Sequence, residues 1–122
     1  MVKILVVDDE EVYCVNLRLL LELKGHHVEI ANDGPTALKL AESFIPDLLI
    51  VDWMLRSEMN GQEVAQLLHA LLPNLHSMLI TGFPAEELED QIIQTPITAV
   101  LRKPFSMDDL LAKIDLIVNT GS

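Results

Sequence analysis

The sequence predicts an α/β domain built on a doubly wound, five-stranded parallel sheet with helices on both faces. Two observations carry this. Short β-branched apolar runs alternate with longer stretches at helical spacing, and the alternation repeats along the whole chain of 122 residues. Turn residues and prolines separate the runs. A repeated strand–helix order gives a parallel sheet between two helical layers, with right-handed crossovers. In such sheets ligands bind beyond the carboxyl ends of the strands, where strand order reverses.

Lys3–Val7 (KILVV) is too short for a helix and suits a strand buried on both faces. From Glu11 to Leu23 the spacing becomes helical: Val12, Val15, Leu19 and Leu23 share one face, and Gly25 stands just past the end. His27–Ala31 (HVEIA) is the second strand. Asp33-Gly34-Pro35 supplies a cap and a first-turn proline for a helix that buries Ala37, Leu40, Ala41 and Phe44 and closes at Pro46. Asp47–Val51 (DLLIV) is the third strand and leads directly into Asp52. After a polar-tipped loop over Trp53–Asn60, Gly61–Leu72 forms a helix burying Val64, Leu67, Leu68 and Leu71.

His76–Ile80 is the fourth strand, ending in Thr81. Pro84 begins a helix with a thin apolar face through about Gln94, and Ala99–Arg102 is a short fifth strand. Ser106 and Asp109 resemble a capping box. Met107, Leu110, Leu111, Ile114, Ile117 and Val118 make the stripe of the last helix. The domain is expected over 1–118, with a small polar tail over 119–122.

Half the residues are hydrophobic, enough for a core. Eight basic residues against 19 acidic ones give a net charge of −11. That balance argues against direct nucleic-acid binding, which needs Lys and Arg to displace counterions, and leaves acid for a cation site. The single cysteine, Cys14, permits no internal disulfide and reads as a helix-packing residue. No apolar run reaches the roughly 18–20 residues of a membrane span, and MVKILVVDD lacks the features of a signal peptide. A cytoplasmic protein is expected.

Chemistry is expected at the strand ends. The first strand ends in Asp8-Asp9-Glu10, the third in Asp52, the fourth in Thr81 and the fifth in Lys103-Pro104. Each residue alone reads as a turn, a cap or a solvated side chain. Together they meet at one edge of a parallel sheet. Like charges at ~4 Å repel by roughly 4 kcal/mol at an effective dielectric of about 20. The three aspartates therefore call for cations: Lys103, and a hard divalent ion such as Mg²⁺. The group suits phosphoryl transfer, with a carboxylate as acceptor, cations on the equatorial oxygens, and a hydroxyl and backbone N–H groups on the rest.

The motifs VVDDE (Val6–Glu10), LLIVD (Leu48–Asp52), LITG (Leu79–Gly82) and KPF (Lys103–Phe105) resemble those of response-regulator receiver domains of two-component systems, including single-domain chemotaxis-type regulators. The resemblance implies a flavodoxin-like fold of receiver topology. It implies that Asp52 accepts a phosphoryl group from a histidine kinase or phosphotransfer protein. Asp9, Asp52 and the main-chain carbonyl of Met54 would bind Mg²⁺, with Asp8 acting mainly through metal-bound water. Thr81, Lys103 and the backbone N–H groups of Met54 and Gly82 would hold the phosphoryl oxygens. Pro104 is a candidate for a cis peptide bond. The output would be a downstream protein or a fused domain.

Three features depart from the family pattern. Leu55-Arg56 stands where a Met-Pro pair is usual, with Gly61 one residue late. Val100 stands where an aromatic is usual, and Thr95-Pro96-Ile97-Thr98 replaces a Gly-Ala. Met54 and Phe83, two positions after the acceptor and the threonine, are poor at orienting a hydrolytic water and imply slow self-dephosphorylation. Arg56 reads as a solvated loop residue, and the four histidines show no metal-ligand spacing. A degenerate receiver would lack the acceptor, the acidic pair or the lysine, and all are present. A flavin-binding protein would place no acidic triplet after its first strand. A haloacid-dehalogenase-type phosphatase needs D-x-D, which Asp8-Asp9 does not provide.

Overall fold

The apolar runs become the strands of one parallel sheet, and their neighbours at helical spacing become its two covering layers. The computed structural model describes residues 2–55, 59–82 and 96–120. The elements are β1 (Lys3–Val7), α1 (Glu11–Leu23), β2 (His27–Ala31), α2 (Gly34–Phe44), β3 (Leu48–Asp52), α3 (Gly61–Leu71), β4 (His76–Thr81), β5 (Ile97–Arg102) and α4 (Met107–Thr120). The helix expected over 84–94, together with Phe83 and Arg56, lies outside the described residues.

Strand order is β2-β1-β3-β4-β5. The chain builds outward from β1 to β2, then crosses back to place β3 on the other side of β1. The reversal therefore falls between β1 and β3, where Val7 pairs with Val51. The residues that follow those partners are Asp8 and Asp52, so the topology itself sets the two carboxylates side by side.

Side chains alternate across the sheet. Ile4, Val6, Ile50, Met78, Ile80 and Leu101 pack on one face with Cys14, Leu17 and Leu21 of α1 and Leu110, Ile114 and Ile117 of α4. Leu5, Val7, Leu49, Val51 and Leu79 pack on the other with Ala37 and Ala41 of α2 and Val64, Ala65 and Leu68 of α3. Burial on both faces explains why the central strands read as unbroken apolar runs.

The caps are local. Asp33 accepts the Thr36 N–H at 2.8 Å, as its place before Gly34-Pro35 suggests. Ser106 Oγ accepts the Asp109 N–H at 3.0 Å. At α3, Asn60 and Glu63 form a reciprocal capping box. The N-x-x-E spacing of Asn60 and Glu63 is the sequence signal of that box, and it makes Asn60, expected as the last loop residue, the cap of the helix.

Several expectations need correction. On α1 the stripe Val12, Val15, Leu19 and Leu23 is exposed, and the sheet covers Cys14, Leu17 and Leu21 instead. The helix is apolar on two sides, so spacing alone does not choose between them. On α3, Leu67 and Leu71 are each 47% exposed, while Ala65 is buried. Strand β3 starts at Leu48 and includes Asp52. Strand β5 starts at Ile97, which pairs with Ser77; the register then skips Thr98, so that Ala99 pairs with Met78, and the Thr98 hydroxyl donates to Ser77 O at 3.0 Å. Helix α4 runs through Thr120.

Candidate functional site

Asp8 follows β1 and is almost fully buried, at 2% exposure. Its Oδ1 accepts the Glu10 N–H at 3.0 Å, and its Oδ2 faces Lys103 Nζ at 3.3 Å. Its carbonyl accepts Asn32 Nδ2 at 2.9 Å and the Cys14 thiol at 3.3 Å, so β2 and α1 both hold this turn. Neither Asn32 nor Cys14 is among the site residues that the strand-end motifs predict. A polar side chain just past β2, at the same sheet edge, was the available signal for Asn32.

Asp52 ends β3 and is buried at 7% exposure. Its Oδ1 accepts the Met54 N–H at 3.1 Å, and its Oδ2 faces Lys103 Nζ at 3.4 Å. Asp9 is partly exposed. One carboxylate oxygen from each of Asp8, Asp9 and Asp52 lies within 4.8 Å of the others. Thr81 is fully buried at the end of β4, and its carbonyl accepts the Lys103 N–H at 2.7 Å. That bond ties the start of the β5–α4 loop to the β4 edge. The Lys103–Pro104 peptide is cis. Gly82 follows Thr81 and is exposed, with nothing near the position a Cβ would take.

The Trp53 N–H donates to Ile80 O at 2.9 Å, continuing the sheet one residue past Asp52. Asp52, Asp9, Glu10, Trp53, Met54, Leu55 and Asn60 line a cleft of about 360 Å³. The topology thus brings Asp8, Asp9, Asp52 and Lys103 together, with Met54 directly on Asp52. Thr81 and Gly82 stand at the next strand end. Val100, from the position where an aromatic was expected, packs half-buried in the α2–α3 side of the core.

The electrostatics follow from burial and crowding. Burial pushes the Asp8 carboxyl up to about 6; the charge of Asp52 adds to this, and the Glu10 N–H and Lys103 oppose it. For Lys103 burial acts downward, but the charges of Asp8 and Asp52 and their hydrogen bonds outweigh it and hold the ammonium above its usual range. Burial pushes the Cys14 thiol up to about 12, which suits a packing residue and not a nucleophile. Three carboxylates against one ammonium leave excess negative charge among oxygen donors, a set that fits a hard divalent cation.

Over residues 4–115 the chain matches the profile described as response regulator receiver domain. The chain belongs to that family. This receiver domain is 33% identical over 113 residues to the response regulator MprA of Mycobacterium ulcerans, covering 93% of the chain and 48% of that protein. It therefore spans about half the length of the curated relatives it matches. A CheY-like receiver domain protein from Methanospirillum hungatei superposes with a TM-score of 0.90 at 28% identity, covering 99% of this chain and 96% of that one. NtrX from Brucella abortus superposes with a TM-score of 0.91 at 26% identity, covering 98% of this chain and 27% of that one. Phosphoryl acceptance is the role of the receiver family, and the acidic cluster it requires is present here. Among the described residues no helix is long and apolar enough to cross a membrane.

Proposed function

We propose that this receiver domain accepts a phosphoryl group on Asp52 from a histidine kinase or phosphotransfer protein, with Mg²⁺ held by Asp9, Asp52 and the Met54 carbonyl. The observation that supports it most is the convergence on Asp52 alone of two further carboxylates, a lysine ammonium and an open cleft. Asp8 contacts Lys103 directly and would act on the cation through bound water.

In the transfer, an Asp52 carboxylate oxygen bonds to phosphorus as the bond from phosphorus to the donor nitrogen breaks. The electron pair of that bond leaves with the donor. Bound Mg²⁺ supplies charge neutralisation on the phosphoryl oxygens. Lys103 pairs with one of those oxygens. The Met54 N–H, which already points at Asp52 Oδ1, turns to the phosphoryl group together with the Gly82 N–H and the Thr81 hydroxyl. Met54 is 55% exposed and carries no group that positions water, so self-dephosphorylation is slow.

The signal passes to a downstream protein or a fused output domain. The MprA response regulators are about twice as long as this chain, which supports a fused arrangement. Intact-mass measurement after incubation with acetyl phosphate and Mg²⁺ tests the assignment. One acid-stable phosphoryl adduct is expected, absent without Mg²⁺ and absent in Asp52→Asn. Undiminished labelling of that variant overturns it.

A further inference from the structure

Lys103 has a third neighbour besides the two aspartates. Its Nζ lies 4.4 Å from the centroid of the Tyr13 ring, on α1. An ammonium carries three N–H donors. Two are satisfied by Asp8 Oδ2 at 3.3 Å and Asp52 Oδ2 at 3.4 Å, and among the described residues the ring's π face stands within reach of the third. The ring itself is braced: it meets Phe105 edge-on at a centroid distance of 6.4 Å and an interplanar angle of 75°. Leu17, Leu20, Phe105 and Met107 line the same groove beside it, so the ring sits among apolar side chains, and the Lys103 side chain is itself only 25% exposed; with part of the water excluded a cation–π attraction is stronger than at an open surface.

We infer that Tyr13 is a positioning residue for Lys103, its ring holding the ammonium in place so that the lysine meets the incoming phosphoryl group already oriented. The inference rests on the role proposed for Lys103, but the Tyr13–Lys103 contact can be measured without phosphorylation. The ring hold has a property the Asp52 hold lacks. Phosphorylation turns the Asp52 carboxylate into an acyl phosphate, moves its negative charge onto the phosphoryl oxygens and redistributes the donors of Lys103, whereas the π face is unchanged by the reaction. Tyr13 therefore supports the lysine before and after transfer. The phenolic hydroxyl plays no part in this; the ring alone does.

The test compares the wild-type chain with Tyr13→Phe, Tyr13→Leu and Tyr13→Met. The first readout is the side-chain proton shifts of Lys103 in protein labelled with ¹³C-lysine. The ring should move them upfield in the wild type and in Tyr13→Phe, and both aliphatic variants should lose that shift. The second readout is the rate of phosphorylation by acetyl phosphate at saturating Mg²⁺. It should fall about three- to tenfold in the aliphatic variants and hold in Tyr13→Phe. Thermal melting identifies any aliphatic variant that fails to fold, and the other then carries the comparison. A Lys103 shift that ignores the ring overturns the contact. A shift that follows the ring with no change in rate overturns the positioning role, as does an equal loss of rate in Tyr13→Phe. A wild-type chain that shows the ring shift but takes no phosphoryl group overturns the reading of Asp52 and leaves the contact supported.

Discussion

Gly61 packs against the main chain of Asp52 with no space between them for a side chain: a Cβ there would overlap the Asp52 carbonyl and crowd the Cα of Trp53. The Gly61 N–H also points back to the Trp53 carbonyl at 3.4 Å. The first residue of α3 is thus part of the support beneath the acceptor. Because the obstacle is backbone, relaxation must move β3 or α3. Gly61→Ala should cost about 1–3 kcal/mol of stability, read by urea denaturation, and should also slow phosphorylation by acetyl phosphate. A variant within about 0.5 kcal/mol of the parent would show that the loop yields without cost.

Asp8 makes a prediction about pH. Its carboxyl titrates near 6 in the folded protein against an ordinary value of 3.8. The folded state therefore binds that proton more tightly than the unfolded state does. Its ionisation opposes folding fully above about 6, and the penalty fades as pH falls towards 3.8. In a chelator, Asp8→Asn should raise stability at pH 7.5 by on the order of 1–3 kcal/mol, with the gain shrinking as pH approaches 4. Urea melts across that range check it, and a variant less stable than the parent at pH 7.5 would contradict it.

Magnesium should report through Trp53, the only tryptophan, which lines the cleft with Asp9 and Asp52. Its emission should change on titration with Mg²⁺. Asp9→Ala should weaken the apparent affinity at least about tenfold while leaving the fold intact, since Asp9 is partly exposed. Superimposable titration curves for the two proteins would place the cation elsewhere.

Ile45 caps α2 in the left-handed region, at φ 50°, a conformation that costs a β-branched residue. At 55% exposure its side chain contributes little packing. Ile45→Gly should therefore stabilise the domain by about 0.5–1 kcal/mol. Differential scanning calorimetry measures this, and an unchanged or lowered melting temperature would mean that the packing of Ile45 outweighs its backbone strain.

What the sequence by itself determined is what short stretches of chain can encode. Short apolar-rich strands of five or six residues between turn residues, the Asp33 and Ser106 caps, and the placing of Asp8, Asp52, Thr81 and Lys103 at strand ends all follow from patterns a few residues long. Their convergence was legible because a parallel sheet admits one chemical edge. The tertiary structure decided the rest. It chose the Cys14–Leu17–Leu21 side of α1 over the equally apolar Val12–Leu19–Leu23 side, since either satisfies helical spacing and only docking on the sheet separates them. It drew Asn32 and Cys14 onto the Asp8 carbonyl and set Tyr13 over Lys103. The Lys103–Asp8 pair joins residues 95 positions apart. Contacts at that separation depend on strand order and helix docking together, and no local pattern contains either.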